Sequence, residues 1–303
     1  MPKDAAPEKT GFLLASVIII NWNNYEMTKK CIESVIKNTE YPNFEVWLID
    51  NGSTDKSFEK LKKEFPFLKT IKNEKNKGFP YALNQGYRSA KGVYLVPLNN
   101  DAVVLNGWLS EAIKVIESGE KIAVAGCTEV SAEEANDWRA LEKIRGRPNV
   151  EKMTLPVAWV TTKKMIEKIG YMDTEFFSPI YGEEADWNFR ARKLGYRIIR
   201  ASKSNVIHLS SQDTKKILGA KKQWVLMNFH RHRAILFNLS IFDILHFVPG
   251  LLYIVFAAIE YGMLFPLLKS YWLTLKDWKL ILRQRKKKRI YVEFKEPTFT
   301  LVN

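Results

Sequence analysis

Three apolar runs of this chain stop on clusters of amide and carboxyl side chains. SVIII (16–20) runs into Asn21-Trp22-Asn23-Asn24, FEVWLI (44–49) into Asp50-Asn51-Gly52-Ser53, and VYLVPL (93–98) into Asn99-Asn100-Asp101. Farther on, Glu183, Glu184 and Asp186 crowd together, and His208 closes another β-branched segment. Carboxylates, amides and imidazole are the side chains that accept protons, bind hard cations and hydrogen-bond polar ligands. One acid after a strand is most often a turn or a cap, with Gly52 permitting the tight turn here. Three polar strand ends in one sheet are less easily dismissed. No G-x-G-x-x-G follows a strand and no G-x-x-x-x-G-K-[ST] loop occurs, which disfavours hydride transfer and P-loop chemistry.

The elements that must position these clusters alternate. Strands are expected at 16–21, 44–50, 68–72, 93–98 and 121–126, with helices at 26–38, 55–65, 79–90 and 107–118 between them. In the first helix Met27, Cys31, Ile32, Val35 and Ile36 share one face. Such spacing predicts βαβ units, a parallel sheet, and ligands at the strands' carboxyl ends. Residues 11–20 resemble the apolar part of a signal peptide, but Asp4 and Glu8 stand where cations belong, so a buried parallel strand fits better. Residues 128–155 read as a polar, irregular loop region. After 156 a strand, helices at 162–169 and 184–194, strands near 196–200 and 204–209, and a long helix from about Asp213 to Asn238 are expected.

At 303 residues, 46% hydrophobic and 26% charged, the chain has enough material for one large domain or two modest ones and is not a disordered composition. Cys31 and Cys127 are too few for a disulfide framework or a zinc site, which favours a reducing compartment. The net charge of +14 is unevenly spread: residues 231–303 hold 12 Lys+Arg against 5 Asp+Glu, and residues 1–230 hold 35 against 28. A nearly balanced front and a basic, apolar back imply different surroundings, and nucleic acid or an anionic membrane surface is the partner such a balance suggests.

Four segments together carry a resemblance. SVIIINWNN, YPNFEVWLIDNGSTD, NKGFPYALNQGYRSAKGVYLVPLNND, and YGEEADWNFRARKLGYRI followed by His208 resemble the nucleotide-sugar half of a family 2 glycosyltransferase, of a rhamnosyltransferase-like kind, over roughly residues 16–210. The resemblance implies the GT-A fold, an α/β domain with a mostly parallel sheet flanked by helices, over residues 1–212. It implies a nucleoside-diphosphate-sugar donor and a divalent cation, Mg²⁺ or Mn²⁺, that offsets the charge left on the diphosphate. The family's Asp-x-Asp metal motif reads Asn99-Asn100-Asp101 here, so Asp101 is the implied metal ligand and His208 the second. Asn21, Asn23, Asn99 and Asn100 fall on the donor side. Asp50 matches the position that contacts the base or ribose, with capping of the Gly52-Ser53 turn as its competitor, and Gly78 and Asn84 help to shape the donor pocket. Glu184 matches the second acid of the family's Glu-Asp pair and is the implied base; a single displacement by the acceptor hydroxyl inverts the anomeric centre. Glu183 and Asp186 suit the helix start electrostatically. Trp159 and the stretch Tyr171-Met172-Asp173 to Phe176-Phe177 lie where the family shapes its acceptor side, and no catalytic role is assigned to them. A deoxysugar such as rhamnose is a donor sugar compatible with the asparagine-rich motif.

Residues 244–268 are the most hydrophobic stretch, with Glu260 the single formal charge, and RQRKKKR (283–289) follows. The stretch is long enough for a membrane helix. A cytosolic donor, however, puts a single span's trailing cations outside, against the positive-inside tendency. Interfacial or re-entrant helices, broken at Pro249, Gly262 or Pro266, keep both basic flanks inside. The expectation is a membrane-associating helical region over 213–303, peripheral or monotopic at the cytoplasmic face of the cell membrane, with a single span and a subunit interface as the lesser readings. A glycan or polyprenyl-linked acceptor for surface polysaccharide suits that location. A homo-oligomer stays open, and nucleic acid is disfavoured because the basic run lacks interleaved aromatics. A nucleotidyltransferase, which would carry a Gly/Lys-rich loop after the first strand, and a non-catalytic glycan-binding or partner-binding scaffold are the competing readings.

Overall fold

The protein is described by a computed structural model covering residues 11–119, 121–152, 155–209, 219–240, 243–244, 248–287 and 290–296. By its internal packing it divides into two units. One comprises 11–76, 82–168 and 197–209; the other comprises 77–81, 169–196 and the described part of 219–296. The domain boundary expected at 212 lies outside the described residues.

The first unit is built on strands β1 (Ala15–Asn21), β2 (Phe44–Asp50), β3 (Lys69–Lys72), β4 (Tyr94–Asn99), β5 (Ala102–Val104), β6 (Ile122–Val130), β7 (Val150–Glu151), β8 (Trp159–Thr162) and β9 (Arg197–His208). Their order is β3-β2-β1-β4-β8-β6-β9-β5, with β7 paired to β9. The first four strands are mutually parallel; β8 enters antiparallel, β6 and β9 are parallel, and β5 and β7 pair antiparallel with β9. The sheet is therefore mixed beyond β4, while its parallel half carries the expected βαβ pattern.

Helices α1 (Tyr25–Asn38), α2 (Ser57–Glu64), α3 (Phe79–Ser89), α4 (Trp108–Ile116), α5 (Ala132–Asn136), α6 (Trp138–Arg145) and α7 (Lys163–Ile169) follow in chain order. β1 is buried over most of its length because its Val and Ile side chains stand between layers, as a central parallel strand requires. The apolar face of α1 differs from expectation at its edge. Cys31, Ile32 and Val35 are buried, but so are Thr28 and Ser34, whereas Ile36 is exposed. Ser34 is inside because its hydroxyl accepts the Val104 N–H at 3.1 Å and donates to the Cys31 carbonyl at 2.7 Å, which joins the helix to β5. Gly86 allows α3 to lie on β1, since a Cβ there would come within 2.4 Å of Ile18 Cγ2. Cys31 and Cys127 are both free and buried.

Two expectations are corrected. Residues 128–155 are not loop throughout: β6 continues to Val130, and α5, α6 and β7 follow. Ser131 opens α5 with a reciprocal capping box to Glu134, and Asp137 caps α6 through the Arg139 N–H. The strands expected at 196–200 and 204–209 are one strand, β9, whose register shifts where Cys127↔Ala201 gives way to Thr128↔Asn205. The polar Ser202-Lys203-Ser204 triplet is that irregularity, held by Ser204 donating to the Trp108 carbonyl at 2.5 Å.

The second unit is helical: α8 (Glu183–Lys193), α9 (Ala220–Asn238), α10 (Val248–Glu260), α11 (Leu264–Lys276) and α12 (Trp278–Lys286). The expected start of α9 at Asp213 lies outside the described residues. Phe177, Phe189, Ala234, Ile235, Phe237 and Ile281 form its core. Arg190 is fully buried, pairing with Asp186 at 2.9 Å and donating to the Tyr171 carbonyl at 2.8 Å and to that of Ile169. The chain end returns to this unit: Val292 bridges Gly170, and the Phe294 ring lies 5.2 Å from Tyr81 and 5.5 Å from Tyr171. The apolar stretch at 244–268 is not one continuous helix, because the chain breaks at Gly262 (φ 65°) between α10 and α11. Pro266 falls in the first turn of α11, where its missing N–H costs no helical bond. Among the described residues no helix is long and apolar enough to cross a membrane.

Candidate functional site

The polar ends of β1, β2 and β4 are joined by one hydrogen-bond network. Asn21 is fully buried at the end of β1; its Nδ2 donates to Asp50 Oδ1 at 2.8 Å and lies 2.9 Å from Ser57 Oγ and 3.0 Å from Ser53 Oγ. Its Oδ1 accepts from Thr28 Oγ1 at 2.8 Å, and that hydroxyl accepts from Asn100 Nδ2 at 3.0 Å. The parallel register puts Asn21 directly beside Asp50. A buried amide can satisfy both a carboxylate and a hydroxyl because it carries a donor and an acceptor end.

Asp50 itself is engaged in the turn that follows it, accepting Ser53 N–H at 3.1 Å and Ser53 Oγ at 2.5 Å. Gly52 (φ 81°) makes that turn feasible, since a Cβ there would meet the Lys75 backbone at 2.4 Å. Asn23 and Asn24 both take the left-handed conformation, which asparagine tolerates better than most residues. The Asn23 backbone N–H donates to Ser53 Oγ and its Oδ1 accepts the Thr54 N–H, both at 2.8 Å, so the two strand-end loops brace each other. Asn84 is buried on α3.

Sequence reasoning did not single out the amides that Asn51 joins, namely Asn73, Asn76 and Gln85. Asn51 donates to Asn76 at 3.0 Å and accepts from Asn73 at 3.1 Å, and Asn73 and Gln85 exchange two bonds. Only the clustering of amides around 73–85 hinted at them.

Asp101 and His208 meet across the β5–β9 ladder. Their strands pair with Ala102 opposite His208, and Asp101 Oδ2 lies 3.2 Å from His208 Nε2. The Asp101 side chain is 10% exposed and that of His208 31%, so the pair is reachable from solvent. The other ring nitrogen, Nδ1, lies 3.4 Å from Glu129 Oε2 on β6, an acid the sequence did not single out. Asn99 ends β4, half-buried, beside this turn. Among the described residues no group of three or more His, Cys, Asp or Glu forms a complete metal site.

In the second unit, Gly182 (φ 83°) leads into α8, and Glu183, Glu184 and Asp186 occupy its first turn. Burial pushes the Glu184 carboxyl up from the usual carboxylate range. Glu183 is pushed well up too, by burial first and then by the neighbouring Glu184 charge, and its Oε2 finds no hydrogen-bond partner among the described residues. Asp186 is committed to Arg190 and to Asn238 Nδ2 at 2.8 Å. Gly78 (φ 89°) lies in this unit, where a Cβ would press on the Pro179 carbonyl oxygen at 2.8 Å.

The aromatic stretch considered for an acceptor side is interior in part, with Tyr171 and Phe176 half-buried. Trp159 is buried in the first unit, and Met172 and Phe177 are buried in the second, where Asp173 caps the Glu175 and Phe176 N–H groups.

A family model described as glycosyl transferase family 2 matches residues 16–177, which includes every strand end just described except that of β9. The chain belongs to glycosyl transferase family 2. An uncharacterized family glycosyltransferase of Haemophilus influenzae is 30% identical over 116 residues, covering 37% of this chain and 36% of that protein. The glycosyltransferase GlyG of Streptococcus pneumoniae is 28% identical over 116 residues, or 38% of its length, so the match spans little more than a third of these first curated relatives.

A more extended relative is a dolichyl N-acetyl-alpha-D-glucosaminyl phosphate 3-beta-D-2,3-diacetamido-2,3-dideoxy-beta-D-glucuronosyltransferase of Methanococcus voltae, 24% identical over 279 residues and 82% of both chains. Among solved structures, the mannosyltransferase PcManGT of Pyrobaculum calidifontis, in complex with GDP-Man and Mn²⁺, superposes with a TM-score of 0.60 at 18% identity over 96% of this chain and 87% of that one. GalNAc-T7 with UDP, GalNAc and Mn²⁺ gives 0.56 at 16% identity over 75% of this chain and 48% of that one. These likenesses establish the GT-A type of fold expected from the sequence.

Proposed function

We propose that this protein is an inverting, nucleotide-sugar-dependent glycosyltransferase that uses Mg²⁺ or Mn²⁺ and transfers one sugar to a hydroxyl of a lipid-linked glycan, in surface polysaccharide assembly. The observation that carries the reading is the Asp101–His208 pair at 3.2 Å, beside the amide-lined ends of β1, β2 and β4. Two ligands at right angles on an ion with bonds of about 2.0–2.1 Å stand about 3 Å apart, so this separation suits adjacent ligands of one Mg²⁺-like cation. A carboxylate oxygen and an imidazole nitrogen are also the donor types that Mn²⁺ accepts. Asp101 and His208 would hold the ion, with diphosphate oxygens completing its shell. Bound there, the cation would offset the negative charge that develops on the leaving nucleoside diphosphate.

The chain's own residues have separate tasks in this reading. Asn100, fixed by Thr28, and Asn99 line the approach to the pair. Asn21 and Asp50 keep the β1 and β2 loops in the shape that receives the nucleotide, with Asn23 and Asn84 shaping the pocket; Gly78 has the role of a donor-side glycine in the second unit. Glu184 takes the acceptor proton: a carboxyl raised by burial is a stronger base than an exposed one while it can still ionise near neutral pH. The Methanococcus voltae relative, named for a dolichyl-linked substrate, supports a lipid-linked acceptor. That acceptor favours a peripheral position at the cytoplasmic face of the membrane, served by the membrane-associating region of residues 213–303, and leaves self-association to be measured.

Calorimetric titration of nucleotide sugars with and without Mn²⁺, followed by transfer to a polyprenyl-diphosphate-linked sugar, tests the reading. Asp101→Ala and His208→Ala are expected to abolish the Mn²⁺-dependent part of donor binding. Glu184→Gln is expected to keep donor binding while lowering kcat about a thousand-fold, within the usual range for a lost general base. Full transfer by Asp101→Ala, or a retained anomeric configuration in the product, would refute the assignment.

A further inference from the structure

The second unit leaves an unusual amount of apolar surface bare. Of the 23 large hydrophobic side chains exposed among the described residues, 12 fall within 252–282. They are not scattered. In α11, Pro266, Leu267, Ser270 and Thr274 are buried and define the inward side. Phe265, Leu268, Trp272 and Leu275 recur at helical spacing on the outward side and are at least half exposed. α10 adds Leu252 and Phe256 at an interval of four, each about two-thirds exposed. Rows of exposed large apolar side chains on a folded protein mark a surface that meets something apolar.

The charges identify the occupant. Lys269 and Lys276 border the outward row of α11, and Lys276 Nζ stands 3.7 Å from the centre of the Trp272 ring. Lys279 and Arg283 are exposed on α12, in a segment (231–303) with 12 cations against 5 acids. Aromatic rings and lysines at the rim of an apolar row are the groups that settle at a lipid headgroup level, ring inward and ammonium outward. A second copy of this chain laid on the same face would set these lysines against lysines. As described, α10 and α11 have 13 residues each, about 20 Å at 1.5 Å per residue, short of a hydrocarbon core of about 30 Å.

We propose that the outward row of α10 and α11 lies in the plane of an anionic bilayer, with Phe265, Leu268, Trp272 and Leu275 in the acyl boundary and the lysines among the headgroups. This rests on the membrane part of the reading above and not on its transfer chemistry.

The full chain offers a direct probe. Both native cysteines are buried, and burial pushes the Cys127 thiol up to about 12, so a single Leu275→Cys accepts an environment-sensitive fluorophore selectively. Co-sedimentation with sucrose-loaded vesicles compares phosphatidylcholine alone with an equal mixture of phosphatidylcholine and phosphatidylglycerol. Binding is expected to require the anionic lipid, to weaken in 0.5 M salt (roughly a 4–5 Å screening length), and to shift the label's emission to the blue with quenching by spin-labelled lipid. The triple variant Phe265→Ser/Leu268→Ser/Trp272→Ser is expected to bind about a hundred-fold more weakly, as the loss of three partly buried apolar groups predicts.

Undiminished vesicle binding by the triple variant, a label untouched by lipid quencher in the bound state, or no binding by the parent chain would overturn the proposal. So would a parent dimer that the triple variant dissolves. Nucleoside-diphosphate binding, measured on the same samples, verifies that the variant is folded. Its loss in Asp101→Ala with vesicle binding intact isolates the transfer chemistry from the docking surface.

Discussion

Removing the Asn21 side chain tests whether the strand-end network holds the donor side together. In Asn21→Ala, Asp50 Oδ1 loses a donor at 2.8 Å, the hydroxyls of Ser57 and Ser53 lose one at 2.9 and 3.0 Å, and Thr28 Oγ1 loses its acceptor. Nδ2 carries only two hydrogens, so no more than two of its three contacts are full bonds at once. One bond to a charged carboxylate is worth about 1.5–3 kcal/mol and each neutral one about 1 kcal/mol, for a gross loss of about 4–5 kcal/mol. Asp50 keeps Ser53 as a donor, and water can occupy part of a polar space of amide size, which brings the expected loss to roughly 3 kcal/mol. For a unit of this size that corresponds to a fall in Tm of about 6–12 °C. Differential scanning calorimetry of the apo chain at neutral pH reads it directly. Thr28→Val, which removes one hydroxyl from the same network, should cost about 1–2 kcal/mol. Nucleoside-diphosphate affinity should fall along with Tm in these two variants, because they loosen the loops; in Asp101→Ala it should fall with Tm nearly unchanged. A loss below about 1 kcal/mol in Asn21→Ala would refute the claim that this amide organises the strand ends.

The remaining predictions concern the second unit. His232 is buried, stacks on Tyr271 at 4.8 Å, and has neither ring nitrogen hydrogen-bonded among the described residues, while burial and then the Arg231 charge push it down to about 4. A depressed histidine contributes stability fully above its unfolded value near 6.5 and loses it as pH falls toward 4. His232→Phe should therefore match or exceed the parent at pH 7.5 and exceed it by roughly 3 kcal/mol at pH 4, measured by urea denaturation. For Glu183 the sign is opposite: its raised carboxyl favours the fold at acid pH and loses that advantage as pH rises through the elevated value, so Glu183→Gln should gain over the parent as pH rises above the ordinary carboxylate range, in the same assay. Gly170→Ala puts a Cβ 2.1 Å from the Val292 carbonyl oxygen at a φ of 80°, so the chain end should detach, with limited proteolysis near residue 292 accelerated and stability lowered by on the order of 3 kcal/mol.

What the sequence disclosed depended on how local its cause was. β1, β2 and β4 were legible because a β-branched run ending on asparagine or aspartate is a local pattern, and the parallel pairing of such strands follows from the helices between them. The fate of Asp50 was legible only as a choice between a nucleotide contact and a turn cap. Its partners in the fold are Ser53, three residues away, and Asn21, 29 residues away, so register decides the matter. Glu129 was invisible for the same reason: it reaches His208 through the pairing of β6 with β9, whose register slips at a polar triplet that reads as a loop. β5, at three residues, is shorter than any period can detect. The Ser131/Glu134 capping box, by contrast, was a local signal that could have located α5. Hydropathy found the apolar stretch at 244–268 and offered Pro249, Gly262 and Pro266 as its breaks; the positive φ at Gly262 is the one that divides α10 from α11, while Pro266 sits in the first turn of α11. That division has a functional consequence: two helices too short to span must bury one side and leave the other bare, and the bare side carries the aromatics and lysines. A residue substituted for Gly262 that cannot adopt φ 65° would favour a continuous helix, and with it a different relation to the bilayer.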